Sequence, residues 1–352
     1  MDKTFLTDKG KTGLANLGAT CYLNTAIQCL GYCHDFLKFV ISAKYKKEAE
    51  QNGKIINEQS VMNELRDLYI DLWINNNSLI PRKFINAVKT NIDFLEIHQQ
   101  NDINEFLVIF ISKLNSDICY NVKLTKKDLI EKNNYSTEIL YDIQRFKMDI
   151  SWLNGVGKEY SELVDLLYGQ SIMQIVCGNC NKITHNYEIY TSMMVPITER
   201  TNTLKDCIQE YMGEELMNNN EDANSTKWKC DECKCMCKSK KTTKLWRNPR
   251  ILIISLKRFT KNLQKNEKQI EIPDTLDISD YTLTNQRCNY TLSSIAFHHG
   301  SFHGGHYTAI CKHPDGNWYD IDDLSVSKFG NSDNSSVFKY IQRGYVYFYT
   351  LS

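Results

Sequence analysis

The chain has 352 residues, 42% of them hydrophobic, and its 42 Lys and Arg residues balance 42 Asp and Glu residues. A net charge of zero provides no overall field toward nucleic acid or an anionic membrane, and the longest apolar run, Phe106 to Ile111, is too short to span a bilayer. Because the N-terminus lacks the apolar core of a signal peptide, we expect reduced cysteines and an intracellular location, cytoplasmic or nuclear.

The first chemical feature is the stretch Gly13 to Thr25, GLANLGATCYLNT. Cys21 lies where a glycine-containing turn gives way to a predicted helix, since apolar residues recur at helical spacing behind it. A helix N-terminus favours the thiolate form of a cysteine, and the Asn16 amide is placed to donate to an oxyanion. Taken alone, a cysteine on a helix is most often a small buried hydrophobic residue.

Residues 60 to 115 show helical periodicity. Ser60 is a predicted helix cap, Pro81 is predicted to open a second helix, and a third helix begins near Asp102. On the third helix, Asp102 and Glu105 share a neighbouring face. Their spacing alone is equally compatible with a solvated acidic edge.

The helical periodicity weakens from 116 to 166, which we interpret as a partly helical insertion.

From residue 167 the period of the apolar residues approaches two, as in β-strands. The predicted strands are Ser171 to Val176, Thr184 to Tyr190 and Met193 to Ile197, followed by a helix from Thr203 to Met212 and a central strand within Trp246 to Phe259.

Two C-x-x-C knuckles, Cys177/Cys180 and Cys230/Cys233, are separated by 49 residues. Each can present two thiolates to one tetrahedral zinc ion, and a four-cysteine site is structural because it leaves no open coordination position. Cys235 and Cys237 leave the pairing in the second knuckle open. The alternative is a set of buried reduced thiols without metal.

Two further motifs follow near the end of the chain, His298 to Ala309 (HHGSFHGGHYTA) and Gly316 to Asp323 (GNWYDIDD). His306 is the candidate base. A turn near Pro314 would form a hairpin and bring Asp322 beside the imidazole to hold its tautomer. A single histidine or aspartate has ordinary structural explanations, but the three contexts together indicate a cysteine-protease triad.

These motifs resemble those of the ubiquitin-specific protease family, the papain-like cysteine deubiquitinases. GLANLGATCYLNT is similar to its Cys box, HHGSFHGGHYTA and NWYDIDD to its His box, and Gln100 to Leu107 (QNDINEFL) to its intervening signature. Ala19 departs from the Asn that the family usually has at this position. The resemblance implies an α+β, papain-like fold with a helical thumb (1–115), zinc-bearing β fingers (167–244) and a β-sheet palm (245–352), and it gives little guidance for the insertion at 116–166.

The resemblance also implies a function. The chain would hydrolyse the thioester, ester or isopeptide bond at the C-terminal glycine of ubiquitin, acting as a monomer on ubiquitin and ubiquitinated proteins. Asp323 would help to polarise water or the oxyanion site. The residues that would grip the ubiquitin tail are Gln100, Asp102, Glu105 and Tyr307. Two alternatives are a catalytically inactive ubiquitin-binding module and an acyl transferase that uses an amine acceptor.

Overall fold

The computed structural model describes residues 6–92, 96, 99–121, 139–157, 159–218, 226–259, 262–283, 288–301, 304–330 and 340–352. Helices dominate the first half of the chain and strands the second half. The described α-helices are α1 (Cys21–Gly31), α2 (His34–Ser42), α3 (Lys44–Gln51), α4 (Val61–Tyr69), α5 (Arg82–Asn91), α6 (Ile103–Ile118), α7 (Ile139–Val156), α8 (Glu162–Leu167) and α9 (Leu204–Met212).

Local capping chemistry sets the starts of several helices. The Ser60 hydroxyl accepts from the Asn63 N–H at the start of α4, and the Asp102 carboxylate accepts from two N–H groups at the start of α6. At α9, Thr203 and Asp206 form a reciprocal capping box. These starts agree with the sequence predictions, as does the opening of α5 after Pro81.

The strands form two sheets. A four-stranded antiparallel sheet has the order β2-β1-β5-β4, and an eight-stranded sheet has the order β11-β10-β9-β8-β12-β6-β3, with β7 also pairing with β8. The strands are β1 (Gly169–Cys177), β2 (Ile183–Tyr190), β3 (Met193–Pro196), β4 (Glu215–Met217), β5 (Ser239–Arg247), β6 (Ile251–Lys257), β7 (Thr275–Asp277), β8 (Asn289–Ser301), β9 (Gly304–Lys312), β10 (Trp318–Asp322), β11 (Ser325–Lys328) and β12 (Val346–Leu351).

Strand β6 shows how the eight-stranded sheet is buried on both faces. Ile251 and Ile253 pack into a core shared with the N-terminal helices, whereas Leu252 and Ile254 pack into a second core that includes α9. Side chains alternate across a strand, so a strand covered on both faces reads as a continuous apolar run. This explains the uninterrupted run in ILIISL, and confirms the central strand predicted there.

Helix α1 lies against β8 and β9 of the eight-stranded sheet. The Ser294 hydroxyl on β8 donates to the backbone carbonyl of Cys29 on α1 at 2.9 Å. Ala296 and Ala309 on the facing strands belong to the same core as Ile27 of the helix. The sheet therefore carries the Cys21 helix on the strands next to the His306 hairpin.

The predicted insertion at 116–166 contains two described helices, and its residues 122–138 lie outside the described part of the chain. Helix α7 packs on the four-stranded sheet through Met148, which contacts a cluster with Ile172 and Trp246. Asp149 of α7 forms an ion pair with Arg247 of β5 at 2.6 Å. The middle of α7 is therefore held against the four-stranded sheet by an apolar contact and an ion pair.

The predicted α+β class is confirmed. The divisions at residues 115, 166 and 244 stay predictions, and β3, which falls in the predicted finger segment, pairs in parallel with β6 of the eight-stranded sheet. Among the helices that are described, none combines the length and the apolar character needed to cross a membrane.

Candidate active site

Cys21 is the first residue of α1, with only 3% of its surface exposed. The turn before it contains two residues with positive φ, Gly18 at 86° and Ala19 at 55°. Asn16 closes this turn, because its side-chain oxygen accepts from both the backbone N–H and the hydroxyl of Thr20 at 3.1 Å. The thiol is thereby held at the helix end where backbone N–H groups lack intrahelical partners.

His306 and Asp322 lie on the paired strands β9 and β10. The predicted turn is present, with the His313 N–H donating to the Asn317 carbonyl at 2.8 Å. His306 Nε2 is 2.6 Å from Asp322 Oδ1. A carboxylate only accepts, so Nε2 carries the proton and Nδ1 keeps a lone pair, with no hydrogen-bond partner among the described residues. The pair therefore presents His306 as a base through Nδ1.

Asp323 connects this hairpin to the Cys21 segment. It has a positive φ of 50°, and its side chain accepts from Asn16 Nδ2 at 3.0 Å and from Asn24 Nδ2 at 2.8 Å. Its other neighbour is His306, whose Nε2 lies 4.0 Å from Asp323 Oδ2. Asn24 lies one turn after Cys21 on α1, so the Asp323 carboxylate contacts the Cys21 helix and also lies near His306.

The Cys21 thiol lies beside the backbone N–H of Tyr307, the residue after His306. No hydrogen bond joins the thiol and the imidazole within the described residues. Such catalytic contacts are often long in a free enzyme and shorten when substrate binds. The structure thus brings the three predicted triad residues to one place, with the Cys21–His306 contact still open.

Burial raises the pKa of the Cys21 thiol, and the nearby Asp323 carboxylate adds to the rise. Backbone N–H groups, including that of Tyr307, oppose it. The helix N-terminus predicts a favoured thiolate, and the structure differs because loss of water around the sulfur outweighs the N–H groups. A base is therefore needed to remove the thiol proton.

The four residues predicted to grip the tail line one open groove of about 510 Å³ beside His306: Gln100, Asp102, Glu105 and Tyr307. Two of them already have polar partners. The Gln100 amide donates to the Gly305 carbonyl at 2.8 Å and accepts from the Gly305 N–H at 2.7 Å. Asp102 caps α6 with one oxygen and accepts from the Tyr345 hydroxyl with the other at 2.6 Å.

Packing against His298 explains one glycine of the pair in the His box, Gly305. A Cβ on Gly305 would lie 2.3 Å from His298 Nε2, so a side chain cannot be accommodated there. His298 is buried between Phe259 and Tyr307, and desolvation lowers its pKa to about 4. It is therefore neutral at neutral pH and fills the groove wall as an aromatic ring.

Sequence reasoning missed Asn24, His298 and Tyr345 as parts of this site. Asn24 was visible inside the quoted Cys box, three residues after Cys21 and hence on the same side of the helix. His298 began the quoted His box. Tyr345 lies 243 residues from Asp102 along the chain, and no local pattern connects them.

The second candidate centre lies where β1 ends and β5 begins. The ligand atoms of Cys177, Cys180, Cys230 and Cys233 all lie within 4.8 Å of one another. A tetrahedral zinc site with bonds of about 2.3 Å separates its sulfur atoms by roughly 3.8 Å. The Cys177–Cys233 and Cys180–Cys230 sulfur distances, both 3.7 Å, match that spacing. These residues fit a tetrahedral metal ion.

The family model for ubiquitin carboxyl-terminal hydrolases matches residues 12–349. Curated relatives include ubiquitin carboxyl-terminal hydrolase Usp2 of Drosophila melanogaster, 28% identical over 330 residues, covering 91% of this chain and 33% of that protein. Ubiquitin carboxyl-terminal hydrolase 21 of Mus musculus is 26% identical over 369 residues, covering 99% of this chain and 63% of that protein. The chain thus spans less than two thirds of the length of either relative.

Similar folds occur among solved structures. One is a chain of the SAGA DUB module Ubp8/Sgf11/Sus1/Sgf73 bound to monoubiquitin, with a TM-score of 0.71 and 20% identity, covering 99% of this chain and 70% of that chain. A yeast SAGA module structure gives the same TM-score at 22% identity. At such identities the likeness supports the fold, and it confirms the architecture expected from the resemblance. Since the family model covers nearly the whole sequence, this chain belongs to the ubiquitin carboxyl-terminal hydrolase family.

Proposed function

We propose that this chain is a deubiquitinating cysteine protease that hydrolyses thioester, ester or isopeptide bonds at the C-terminal glycine of ubiquitin. The observation that carries the proposal is the His306–Asp322 contact of 2.6 Å through Nε2. It leaves the basic Nδ1 of His306 beside the segment that contacts the Cys21 thiol. Because burial raises the pKa of the Cys21 thiol, the thiol needs a base to remove its proton.

The reaction is acyl transfer to water. Nδ1 of His306 takes the Cys21 proton, and the thiolate attacks the glycine carbonyl. The imidazolium then donates that proton to the leaving amine, thiol or alcohol. Water attacks the resulting thioester with His306 again acting as base, which releases the ubiquitin carboxylate and restores the thiol. Asp322 stabilises the imidazolium through the Nε2 hydrogen bond.

The oxyanion is assigned to the Cys21 backbone N–H and the Asn16 amide. One Asn16 N–H is bonded to Asp323 in the free structure. An amide nitrogen carries two N–H groups, so the second can serve the oxyanion. We assign Asp323 to holding Asn16 and, with it, to orienting the hydrolytic water near His306.

The tail groove supports an assignment of Glu105 as the main carboxylate for a basic tail residue. Asp102 is engaged by its own helix and by Tyr345, whereas the Glu105 side chain has no ion pair among the described residues. Gln100 and Tyr307 line the same groove, and the Gln100 amide pairs with both the N–H and the carbonyl of Gly305 in the free protein. A bound tail would have to displace this amide to form main-chain hydrogen bonds with Gly305.

Zinc is the metal proposed for the four-cysteine cluster, in a structural role. Thiolates bind zinc as a closed tetrahedral site and so tie the turn after β1 to the turn before β5. No catalytic step involves this ion. We further propose that the protein acts as a monomer on intracellular ubiquitin conjugates.

A ubiquitin probe with an electrophilic C-terminus tests the proposal directly. The wild-type protein should form one covalent adduct through Cys21 and should cleave diubiquitin, while Cys21→Ala should do neither and should still bind ubiquitin. A His306→Ala variant should be nearly as impaired, because the thiol pKa is raised. Adduct formation by Cys21→Ala would contradict the assignment of the nucleophile.

The same assay separates the two alternatives. An inactive binding module would retain ubiquitin without forming an adduct or cleaving chains. An amine-acceptor acyl transferase would release little free ubiquitin carboxylate and would join ubiquitin to an added primary amine. Hydrolysis with water as the dominant acceptor supports the protease.

A further inference from the structure

The metal cluster has more thiols than a tetrahedral ion needs. Six cysteines lie near the ends of β1 and β5 where the cluster forms: Cys177, Cys180, Cys230, Cys233, Cys235 and Cys237. A closed structural zinc site uses four. Two of the six thiols are therefore not needed for a four-thiolate site.

The sulfur contacts distinguish one corner of the cluster from the others. Cys180 contacts Cys230 at 3.7 Å. Cys177, however, contacts two sulfur atoms, that of Cys233 at 3.7 Å and that of Cys237 at 3.3 Å. Cys237 thus adds a further sulfur atom beside Cys177, although it lies outside the four whose ligand atoms are all within 4.8 Å of one another.

The position of Cys237 is set by the sheet. Cys177 pairs with Ser239 in the β1–β5 ladder, and Cys237 lies two residues before that partner. The Cys237 carbonyl accepts from the Asn218 amide at 2.8 Å and from the Ser239 hydroxyl at 3.1 Å. Cys233, by contrast, lies on the separate turn that begins at Cys230. The ladder thus holds Cys237 at the cluster independently of the second knuckle.

We propose that Cys237 is a reserve zinc ligand, which occupies the fourth corner of the site whenever Cys233 leaves it. The inference rests on the proposed zinc site. In the exchange, the Cys237 thiol releases a proton as its sulfur binds the metal, and the departing Cys233 thiolate takes up a proton. The coordination number, the four thiolates and the net charge of the site stay the same.

The test compares zinc affinity across single and double variants of the full chain, measured by chelator competition on purified protein. Cys233→Ser and Cys237→Ser should each bind one zinc with an affinity within about tenfold of wild type, whereas the Cys233→Ser/Cys237→Ser double variant should bind more than about a hundredfold more weakly. Cys235→Ser is the matched control, because the Cys235 thiol has no contact with Cys177 among the described residues. It should bind zinc as the wild type does.

Cobalt substitution provides a second readout that does not depend on enzymatic activity. Both single variants should keep the absorption of a tetrahedral four-thiolate Co²⁺ site, and the double variant should lose the fourth thiolate signal. A Cys233→Ser variant as weak as the double variant would refute the reserve role. A Cys237→Ser variant as weak as the double variant would also refute it, because Cys237 would then be a sole ligand. Wild-type protein that binds neither ion would instead overturn the zinc proposal and this inference with it.

Discussion

Asn24 Nδ2 donates to Asp323 Oδ1 at 2.8 Å, which joins the nucleophile helix to the residue after Asp322. Asn24 is 2% exposed, and the same amide nitrogen also lies within hydrogen-bond distance of the carbonyls of Leu14 and Ala15. Three parts of the chain thus meet at one buried amide. This contact is one of several that hold the Cys21 helix against the His306 hairpin.

We expect Asn24→Ala to lower kcat by about tenfold or more and to cost about 1–3 kcal/mol of unfolding free energy, because buried groups lose their partner. Steady-state hydrolysis of a fluorogenic ubiquitin substrate and urea unfolding measure the two effects. Asn63→Ala is the control. Asn63 is also a buried helical asparagine with side-chain bonds, but it lies on α4. Equal losses of kcat in Asn24→Ala and Asn63→Ala would mean that Asn24 contributes to stability only and has no specific effect on catalysis.

Replacing Asp322 separates charge from hydrogen bonding. Asp322→Asn keeps an oxygen that can accept from His306 Nε2, so we expect its kcat to fall by roughly 10²-fold or less. We expect the kcat of Asp322→Ala to fall further, because no acceptor remains. Both variants should retain more activity than Cys21→Ala. An Asn variant as inactive as the Ala variant would mean that the negative charge, rather than the orientation of the ring, is what His306 requires.

His298 makes stability depend on pH. Its pKa falls to about 4 in the folded protein, below the value of 6.5 for an unperturbed histidine. The unfolded chain therefore binds more protons between these values, and stability present above pH 6.5 is lost as the pH falls toward 4. We expect His298→Gln to show a smaller drop in urea-unfolding free energy between pH 7 and pH 5 than wild type does. Parallel pH profiles for the two proteins would contradict this expectation.

Ala19 adopts a left-handed φ of 55° two residues before the nucleophile. This conformation costs about 1–2 kcal/mol for a residue with a Cβ. Glycine avoids that cost, but it loses more conformational entropy on folding, which offsets part of the gain. We expect Ala19→Gly to raise the unfolding free energy by about 0.5–1 kcal/mol with kcat unchanged. Ala43, with a φ of 52°, is the matched site distant from Cys21 in sequence. A loss of stability in Ala19→Gly would show that the turn does not carry this strain.

Removing the first knuckle tests the structural role of the metal. Cys177→Ser/Cys180→Ser should release zinc and lower the melting temperature, because the two turns at this end of the four-stranded sheet then lose their cross-link. Full-length ubiquitin substrates should bind more weakly, whereas a minimal tail-peptide ester should be cleaved nearly as before. An unchanged melting temperature together with zinc-free wild-type protein would identify the cysteines as ordinary reduced thiols.

Local signals were enough for much of the fold. The caps at Ser60, Asp102 and Thr203 lie at the predicted helix starts, since capping depends on residues within one turn. The β9–β10 hairpin was also predictable, because a turn connects strands that are adjacent in sequence. In each case the interaction that decides the structure spans only a few residues.

Contacts between distant segments were not predictable in this way. The hydrogen bond from the Tyr345 hydroxyl to Asp102 depends on tertiary packing, as does the hydrogen bond between Asn16 and Asp323. The rise in the Cys21 pKa has the same origin, because it depends on how much water the assembled core excludes. Sequence motifs predict the reacting groups, and the surrounding fold determines the direction of their pKa shifts and their hydrogen bonds.

The position of β12 determines when the proposed catalytic site can assemble during synthesis. Residues 346–351 pair with β8 on one side and β6 on the other, so they lie inside the eight-stranded sheet. Because β12 is the strand between β8 and β6, it must emerge from the ribosome before the strands of the His306 hairpin can be joined to β6. Cys21 is made more than 300 residues earlier. The nascent chain thus contains Cys21 long before the complete eight-stranded sheet can form, because that sheet needs the last strand.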